Sequence, residues 1–312
     1  MKKVNVAVIG FGHLGRWHTQ KAAGLENANL VAIVEPFNKD AAKEAYPNCQ
    51  IVDNIKDVIN EIDAAIVVTP TSTHFELTKY LLENNKNVFC EKPLCSTYDE
   101  VEALRPLIKD QTIQVGHSER CHAAWDKLED RFNSLKGPKT FKIDRFAPFK
   151  GRATDVDVVQ DLMIHDIDLM LYVLKMRPIS VEAVGHKIRT DKWDHVTATF
   201  KFEDGSMAII TSGRNHIKEV RALEIMSSSG CDYVDLFENK IYEGTDSIYG
   251  DETYVKVDSY EKRDHLLIEQ EKFYQAIIDK TKPMVTFEDG ANAVYLVTKV
   301  LESLDSSKRL SL

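Results

Sequence analysis

The chain has 312 residues, 43% of them hydrophobic and 29% charged, with a formal net charge of -9. That length supports a substantial core and two domains, and the balance is that of a globular protein rather than a disordered one. The acidic excess argues against a general nucleic-acid or membrane-surface binder, and no stretch approaches the roughly 18 apolar residues of a membrane span.

The apolar run at residues 4–9 leads directly into Gly10-Phe11-Gly12-His13-Leu14-Gly15, followed by a helix-like run over 16–25. The run behind Met1-Lys2-Lys3 is too short for a secretion signal and enters the glycine turn at once. A strand that turns through glycines into a helix presents backbone N–H groups and the positive end of a helix dipole, which suit a pyrophosphate. Gly10 permits the turn, Gly12 lets a ligand reach the backbone, and Gly15 lets helix and strand pack closely. A second apolar run, 30–34, ends at Glu35, twenty residues past Gly15, where a ribose-binding carboxylate belongs. Glycines that merely shape a turn and a surface acid would also read this way; the register of strand, glycines, helix, strand and acid favours the nucleotide. A carboxylate repels a 2′-phosphate, and no basic residue occurs in Pro36-Phe37-Asn38, so NAD is expected rather than NADP.

Strand and helix patterns then alternate: helix 39–45, strand 50–52, helix 53–59, strand 64–68, helix 75–84, strand 87–90, helix 98–109 and strand 112–115. Short, continuously apolar strands between helices predict a parallel sheet covered on both faces, a doubly wound Rossmann domain over residues 1–120. Ligands of such sheets bind beyond the C-terminal strand ends. The expected cofactor residues are therefore Gly10, Phe11, Gly12, His13, Leu14, Gly15, Glu35, Thr69, Pro70, Thr71, His74, Glu91 and Lys92.

Residues 121–312 have a different character. A helix over 122–135 and a strand over 139–146 precede a basic loop, Pro148-Phe149-Lys150-Gly151-Arg152, and an apolar helix over 158–175. Strand patterns follow at 181–189, 195–202, 207–212, 220–226, 233–237 and 253–257. Within 195–202, Val196, Ala198, Phe200 and Phe202 share one face and Thr197, Thr199 and Lys201 the other. That alternation predicts a largely antiparallel sheet with one open face, available to a second copy in a homo-oligomer. Helices at 264–279 and 287–304 complete an α+β domain. Five scattered cysteines without a CxxC pair read as reduced thiols of a cytoplasmic protein, and no HxxxH or HExxH spacing points to a metal.

Two places carry candidate chemistry. Glu91-Lys92-Pro93 follows a predicted strand, and proline biases the preceding residue toward extended backbone, which aims Lys92. A lysine there would hydrogen-bond the oxygen of an alcohol being oxidised; a solvated surface lysine is the plain alternative. On the apolar helix, Asp161, His165 and Asp168 fall at i, i+4 and i+7, a narrow arc, with Asp166 the misfit. Charges on a buried helix are costly unless paired or used. The alternative is a satisfied core network. Arg120, Arg145, Lys150 and Arg152 lie in or near predicted strand ends and suit either a diphosphate or ordinary ion pairs.

Gly10-x-Gly12-x-x-Gly15, Thr69-Pro70-x-x-x-His74, Glu91-Lys92-Pro93 and Asp161-x-x-x-His165-x-x-Asp168 together resemble the glucose–fructose oxidoreductase / inositol dehydrogenase family of NAD(P)-dependent sugar oxidoreductases. Glu269-x-x-x-Phe273 and Pro283-x-Val285-x-x-Glu288-Asp289-Gly290 are similar to its closing pattern. The resemblance spans nearly the whole chain and implies Lys92, Asp161 and His165 as a catalytic trio. Val115-Gly116-His117-x-Glu119-Arg120 and the stretch 148–159 resemble members that oxidise nucleotide sugars, in particular the UDP-N-acetylglucosamine 3-dehydrogenase branch. The chain departs from that branch at Cys121-His122-Ala123, where an aromatic residue, an asparagine and a proline are more usual. The implied substrate residues are Arg120, Lys150, Arg152, Asp161 and His165. Open alternatives are an inositol or free-monosaccharide dehydrogenase, an NAD-dependent glycoside hydrolase and a non-catalytic NAD-binding partner.

Overall fold

The computed structural model of the chain describes residues 2–151, 154, 156–244 and 255–312. It divides into two compact units, Met1–Ser118 with Asp264–Val294, and Glu119–Arg263 with Tyr295–Leu312.

The first unit opens with β1 (Val4–Ile9), α1 (His13–Gly24), β2 (Ala28–Val34), α2 (Lys39–Ala45), β3 (Gln50–Val52) and β4 (Ala64–Val67). It continues through α3 (His74–Glu83), β5 (Asn87–Glu91), α4 (Tyr98–Leu104) and β6 (Ile113–Gly116). The six strands form one parallel sheet in the order β3-β2-β1-β4-β5-β6, the doubly wound arrangement. Val6, Ala7 and Val8 are all fully buried, as expected of a central strand with helices on both faces. Two expected helices are shorter. Residues 53–59 contribute only a 3-10 turn, Ile55–Asp57. The 98–109 helix ends at Leu104, because Pro106 supplies no N–H and a 3-10 turn, Arg105–Leu107, takes over. At its start Thr97 and Glu100 exchange side-chain and backbone bonds in a capping box.

The second unit contains α5 (Ala124–Ser134), β7 (Thr140–Phe146), a π-helical turn (Val159–Met163) running into α6 (Ile164–Leu174), then β8 (Ser180–His186), β9 (His195–Lys201) and β10 (Met207–Gly213). After these come β11 (Val220–Ser227), β12 (Gly230–Asp235), β13 (Lys240–Gly244) and β14 (Val255–Ser259). The chain returns through α7 (His265–Asp279) and α8 (Phe287–Ser306) to β15 (Leu310–Ser311). The nine strands are ordered β14-β13-β12-β11-β7-β10-β9-β8-β15. All neighbours are antiparallel except β7 and β10. Val196, Ala198 and Phe200 are fully buried, whereas Thr197 and Thr199 are partly exposed, so one face is covered and the other open. Strands β13 and β15 lie outside the sequence expectation. In β13 Ile241 is the one buried side chain, beside the buried Gly244, and β15 has two residues, too few for a period.

The single crossing expected at residue 120 is replaced by three, since α7 and the first turns of α8 belong to the first unit. Phe273 and Tyr274 of α7 are buried in one cluster with Val4, Val6, Val8, Ile66 and Phe89. Asp264 caps α7 by accepting the Leu267 N–H at 3.1 Å and pairs with Lys21 of α1 at 2.6 Å. Gly290 lies so close to β6 that a Cβ there would stand 2.6 Å from Val115 Cγ2. Among the described residues no helix is long and apolar enough to cross a membrane, and all five cysteines are thiols.

Candidate active site

The three glycines of the first turn have separate geometries. Gly10 has φ +102, and a Cβ there would sit 2.8 Å from the Val68 carbonyl oxygen. A Cβ on Gly15 would lie 2.2 Å from the Gly10 oxygen, so helix α1 leaves its strand at backbone contact. A Cβ on Gly12 would meet nothing within 4 Å: the space before it is open. Gly12 is also the N-cap of α1, with no side-chain cap and no acidic residue in the first turn. A helix start without its own acceptor leaves N–H groups and dipole for an external anion. Within the motif, Phe11 is buried with Ile33 and Ala42 as an anchor, while His13 and Leu14 are exposed.

Glu35 is 5% exposed at the end of β2. Its Oε2 accepts the Phe11 N–H at 2.8 Å, and Oε1 accepts the N–H groups of Phe37 at 2.8 Å and Asn38 at 3.1 Å. Burial pushes its pKa up, but these three donors and the Arg16 charge outweigh that and hold the carboxyl below its usual range. Glu35 is thus an oriented anion beside the glycine turn. A pyrophosphate at the open Gly12 side and ribose hydroxyls at Glu35 fit this cradle.

The loops after β4 and β5 are tied together. His74 is buried, with Nδ1 2.7 Å from the Pro93 oxygen and Nε2 3.0 Å from the Thr69 oxygen. It is therefore a brace between the Thr69–Pro70 and Lys92–Pro93 loops, both of which the sequence expectation places at the cofactor. Thr69 and Thr73 share a hydroxyl bond of 2.6 Å over the turn that carries Pro70 and Thr71. Lys92 is half-buried at the C-terminal end of β5, and its peptide bond to Pro93 is cis. Glu91, just before it, is buried and bonds His18 of α1 at 2.8 Å, a partner that the sequence reading did not single out.

In the second unit the expected acid–histidine–acid stripe separates into two kinds of residue. The helix is not uniform: Val159–Met163 is a π-helical turn, an i→i+5 segment of the sort that recurs at functional sites. This alters the arc derived from a regular helix. Asp161 and His165 remain half-buried, while Asp166 and Asp168 are fully buried. Asp168 accepts Nε and Nη2 of Arg120 at 2.8 and 2.6 Å. Asp166 accepts Nε and Nη2 of Arg145 at 2.9 and 2.7 Å, and Arg145 Nη1 reaches Glu119 at 3.0 Å. Burial pushes the Glu119 pKa up, but the charges of Arg145 and Arg221 win and bring it down to about 2. The misfit Asp166 and the outer member Asp168 are thus ion-pair partners that pin the helix to its unit, as buried charges require.

Arg120 has the same kind of partner. Its guanidinium is buried, bidentate to Asp168 and over the Tyr172 ring at 5.1 Å, so it braces α6. Cys121, His122 and Ala123 are likewise buried, with His122 3.2 Å from the Leu236 oxygen. Lys150 pairs with Glu219 and is half-exposed, and Arg152 lies outside the described residues. A cavity of about 170 Å³ is lined by Arg145, Phe149, Lys150, Asp161, Arg214 and Arg221 among others. Arg214, held by Asp194 at 2.7 Å, and Arg221 were not anticipated. Their only sequence signal is a basic residue at a strand end.

The family descriptions that match are "Oxidoreductase family, NAD-binding Rossmann fold" over residues 4–117 and "GFO/IDH/MocA C-terminal domain" over residues 120–231. The chain is 33% identical to a UDP-N-acetylglucosamine 3-dehydrogenase of Acidithiobacillus ferrooxidans, covering 89% of this chain and 90% of that protein. A solved structure of that enzyme superposes with a TM-score of 0.89 at 29% identity, over 98% of this chain and 99% of that one. A myo-inositol 2-dehydrogenase of Thermotoga maritima is 24% identical over 99% of this chain and 98% of its own length. A scyllo-inositol dehydrogenase of Lactobacillus casei, solved with NAD(H) and scyllo-inositol, shares the fold with a TM-score of 0.83 at 20% identity, over 99% of each chain. On the matched domains, the extent of the similarity and the glycine cradle, the chain belongs to the GFO/IDH/MocA family of NAD-binding oxidoreductases.

Proposed function

We propose that this oxidoreductase converts a secondary alcohol of a sugar, the 3-hydroxyl of a UDP-N-acetylhexosamine, to a ketone with NAD as the oxidant. The observation that carries the reading is the cavity beside Asp161, where a half-buried carboxylate shares a wall with Lys150, Arg214, Arg221 and the aromatic Phe149. Similarity to a UDP-N-acetylglucosamine 3-dehydrogenase over most of the chain supports it. Arg120 and Arg145 are left out of the diphosphate set because Asp168 and Asp166 take their guanidinium groups; Lys150 and Arg152 stay in it, and Arg221 of the cavity wall joins them.

NAD, when bound, supplies C4 of its nicotinamide as acceptor for the carbinol hydrogen. The 10–15 turn and the start of α1 would hold its pyrophosphate, and Glu35 would accept from its ribose hydroxyls. Lys92 hydrogen-bonds the alcohol oxygen and stabilises the charge that grows there. His165 accepts the hydroxyl proton, since an imidazole titrates near working pH. Asp161 orients that ring and favours its cationic form. The C–H pair leaves as hydride, the O–H proton goes to His165, and a C=O bond remains. Lys92→Ala and His165→Ala are each expected to lower kcat by about 100-fold or more, with NAD binding retained; full turnover in either removes that residue from the scheme.

A second reading, oxidation of inositol or a free monosaccharide, is favoured by one feature: the cavity's cations already face carboxylates, Arg145 and Arg221 at Glu119 and Lys150 at Glu219. A neutral polyol would leave those pairs intact. UDP-sugars and free polyols, assayed with NAD by the absorbance of the reduced nicotinamide, separate the two. Turnover of UDP-sugars, with KM raised for them alone by Lys150→Ala or Arg221→Ala, supports the first reading; turnover of polyols only overturns it. The open sheet face, with Val184, Val255 and Val257 more than half exposed, is proposed to pair with a second copy, which sedimentation measures. Five thiols fit a reducing, cytoplasmic setting.

A further inference from the structure

Behind the lysine-bearing end of β5 lies a connected set of buried polar side chains that the cofactor and substrate readings leave unused. It runs from α7 through α1 to β5: Tyr274, Gln270, His18 and Glu91, of which only Glu91 has any exposure, 7%. The Tyr274 hydroxyl, kept neutral by burial, donates to Gln270 Oε1 at 2.9 Å. Gln270 Nε2 donates to the His18 main-chain oxygen at 3.0 Å, an atom that only accepts, which fixes the amide orientation. The same Nε2 is 2.9 Å from His18 Nδ1, so Nδ1 is the accepting nitrogen and the ring proton sits on Nε2. Nε2–H then donates to Glu91 Oε1 at 2.8 Å, and Glu91 Oε2 accepts the Lys92 backbone N–H at 3.1 Å.

A neutral imidazole stabilises a carboxylate by hydrogen bonding without cancelling its charge. Burial pushes the Glu91 pKa up, but the hydrogen bond and the electrostatic attraction of His18, followed by the charge and backbone N–H of Lys92, outweigh it and hold the carboxyl below its usual range. Strand β6 leaves the carboxylate no room to shift, because a Cβ on Gly116 would lie 2.9 Å from Glu91 Cδ. The titratable groups about Glu91 are His18 from α1, Lys92 from its own strand end and Cys90 beside it in β5. Strand β6 presents Gly116, and α7 presents Gln270 and Tyr274 behind the imidazole. Glu269 on α7 and His117 after β6 are also buried.

We infer that His18 is a positioning residue for Lys92: its ring N–H fixes the Glu91 carboxylate, and Glu91 in turn fixes the backbone of the lysine. This rests on the reading of Lys92 as the group that holds the alcohol oxygen. It adds that the lysine is set in place from a helix whose other end is the dinucleotide turn. Removing the donated N–H leaves a buried carboxylate short of a partner, and the acceptor that holds the Lys92 N–H is no longer fixed.

The test reads Lys92 directly, by the rate of its acetylation with acetic anhydride at one fixed pH, followed by mass spectrometry on the full chain. His18→Phe keeps a ring against Phe89, 5.4 Å away, but has no N–H. Glu91→Gln is isosteric and still accepts from His18, but its amide nitrogen cannot accept the Lys92 N–H. Both are expected to raise the Lys92 labelling rate about threefold or more as the strand end loosens. They should also lower kcat on UDP-N-acetylglucosamine about tenfold, with KM for NAD within about twofold. His18→Gln, whose amide donates where Nε2–H did, should keep the parent labelling rate. A parent rate in Glu91→Gln, or a rise in His18→Gln equal to that in His18→Phe, overturns the inference. If His18→Phe does not fold, Glu91→Gln carries the same expectation alone. Full turnover in Lys92→Ala would instead remove the catalytic reading, while the labelling rates still decide whether His18 and Glu91 hold the lysine in place.

Discussion

In the first unit the anion site is built from main chain: a glycine turn, a helix start without its own cap, and Glu35 held by three backbone N–H groups. In the second unit the charged apparatus is built from side chains, with Arg145 against Asp166 and Glu119, Arg120 against Asp168, and Arg214 against Asp194. The first arrangement is written within a few consecutive residues and has no tolerance for a methyl group at two of its three glycines. The second joins residues that lie 20 to 48 positions apart and tolerates changes of shape better than loss of a charge. Main-chain sites therefore fail by steric contact, and side-chain lattices fail by uncompensated burial.

The largest expected effect is on the lattice. Asp166→Ala strands the buried Arg145 guanidinium and should cost about 3–5 kcal/mol in urea unfolding. A loss below about 1 kcal/mol would mean that water or Glu119 alone satisfies Arg145, and the contrast between the units would collapse. Next is the glycine pair. Gly15→Ala forces a methyl against the Gly10 oxygen and should cost about 1–3 kcal/mol. Gly12→Ala, facing open space, should leave the unfolding midpoint unchanged yet weaken NAD binding about tenfold, equivalent to 1.4 kcal/mol. The reverse pattern in calorimetric titrations would break the assignment of the two glycines.

Acid sensitivity sharpens the comparison further. Glu119 has its folded pKa depressed to about 2 from a reference of 4.5. Its contribution is fully present above the unfolded value and is lost as pH falls from about 4.5 toward 2. Urea midpoints over that window should fall less steeply in Glu119→Gln than in the parent; parallel curves would show that Arg145 and Arg221 do not act through this carboxylate. The smallest effect is at the cavity rim. Lys150→Ala breaks an exposed pair with Glu219 and should change stability by less than about 1 kcal/mol, so any rise in KM for a UDP-sugar reports binding rather than folding.

Much of the first unit was legible because its information is local. The 39–45 helix and the 50–52 strand fall where periodicity sets them, and each glycine has the geometry its place in the turn requires. The second unit was legible only as alternation. Nothing in the apolar pattern of 158–175 marks the change to i→i+5 bonding at Val159–Met163, because a buried helix and a buried π turn present the same residue types. Asp166 looked anomalous for a good reason, being a charge in an apolar run, but its partner Arg145 lies on β7, and no spacing rule links a helix to a strand 21 residues earlier. His18 carried no local signal either: its partners Glu91 and Gln270 are 73 and 252 positions away.

By itself, then, the order of residues determined the glycine cradle, which rests on dipoles and turn geometry among near neighbours, the parallel sheet, which continuous apolar runs between helices signal, the preference for NAD, and the family, which motifs spread along the chain carry. Tertiary structure alone decided that α7 covers the first sheet, that Arg120 and Asp168 brace a helix, and which acids stay accessible. Those outcomes depend on which distant surfaces exclude water together, and burial is a property of the packed chain that no single segment possesses.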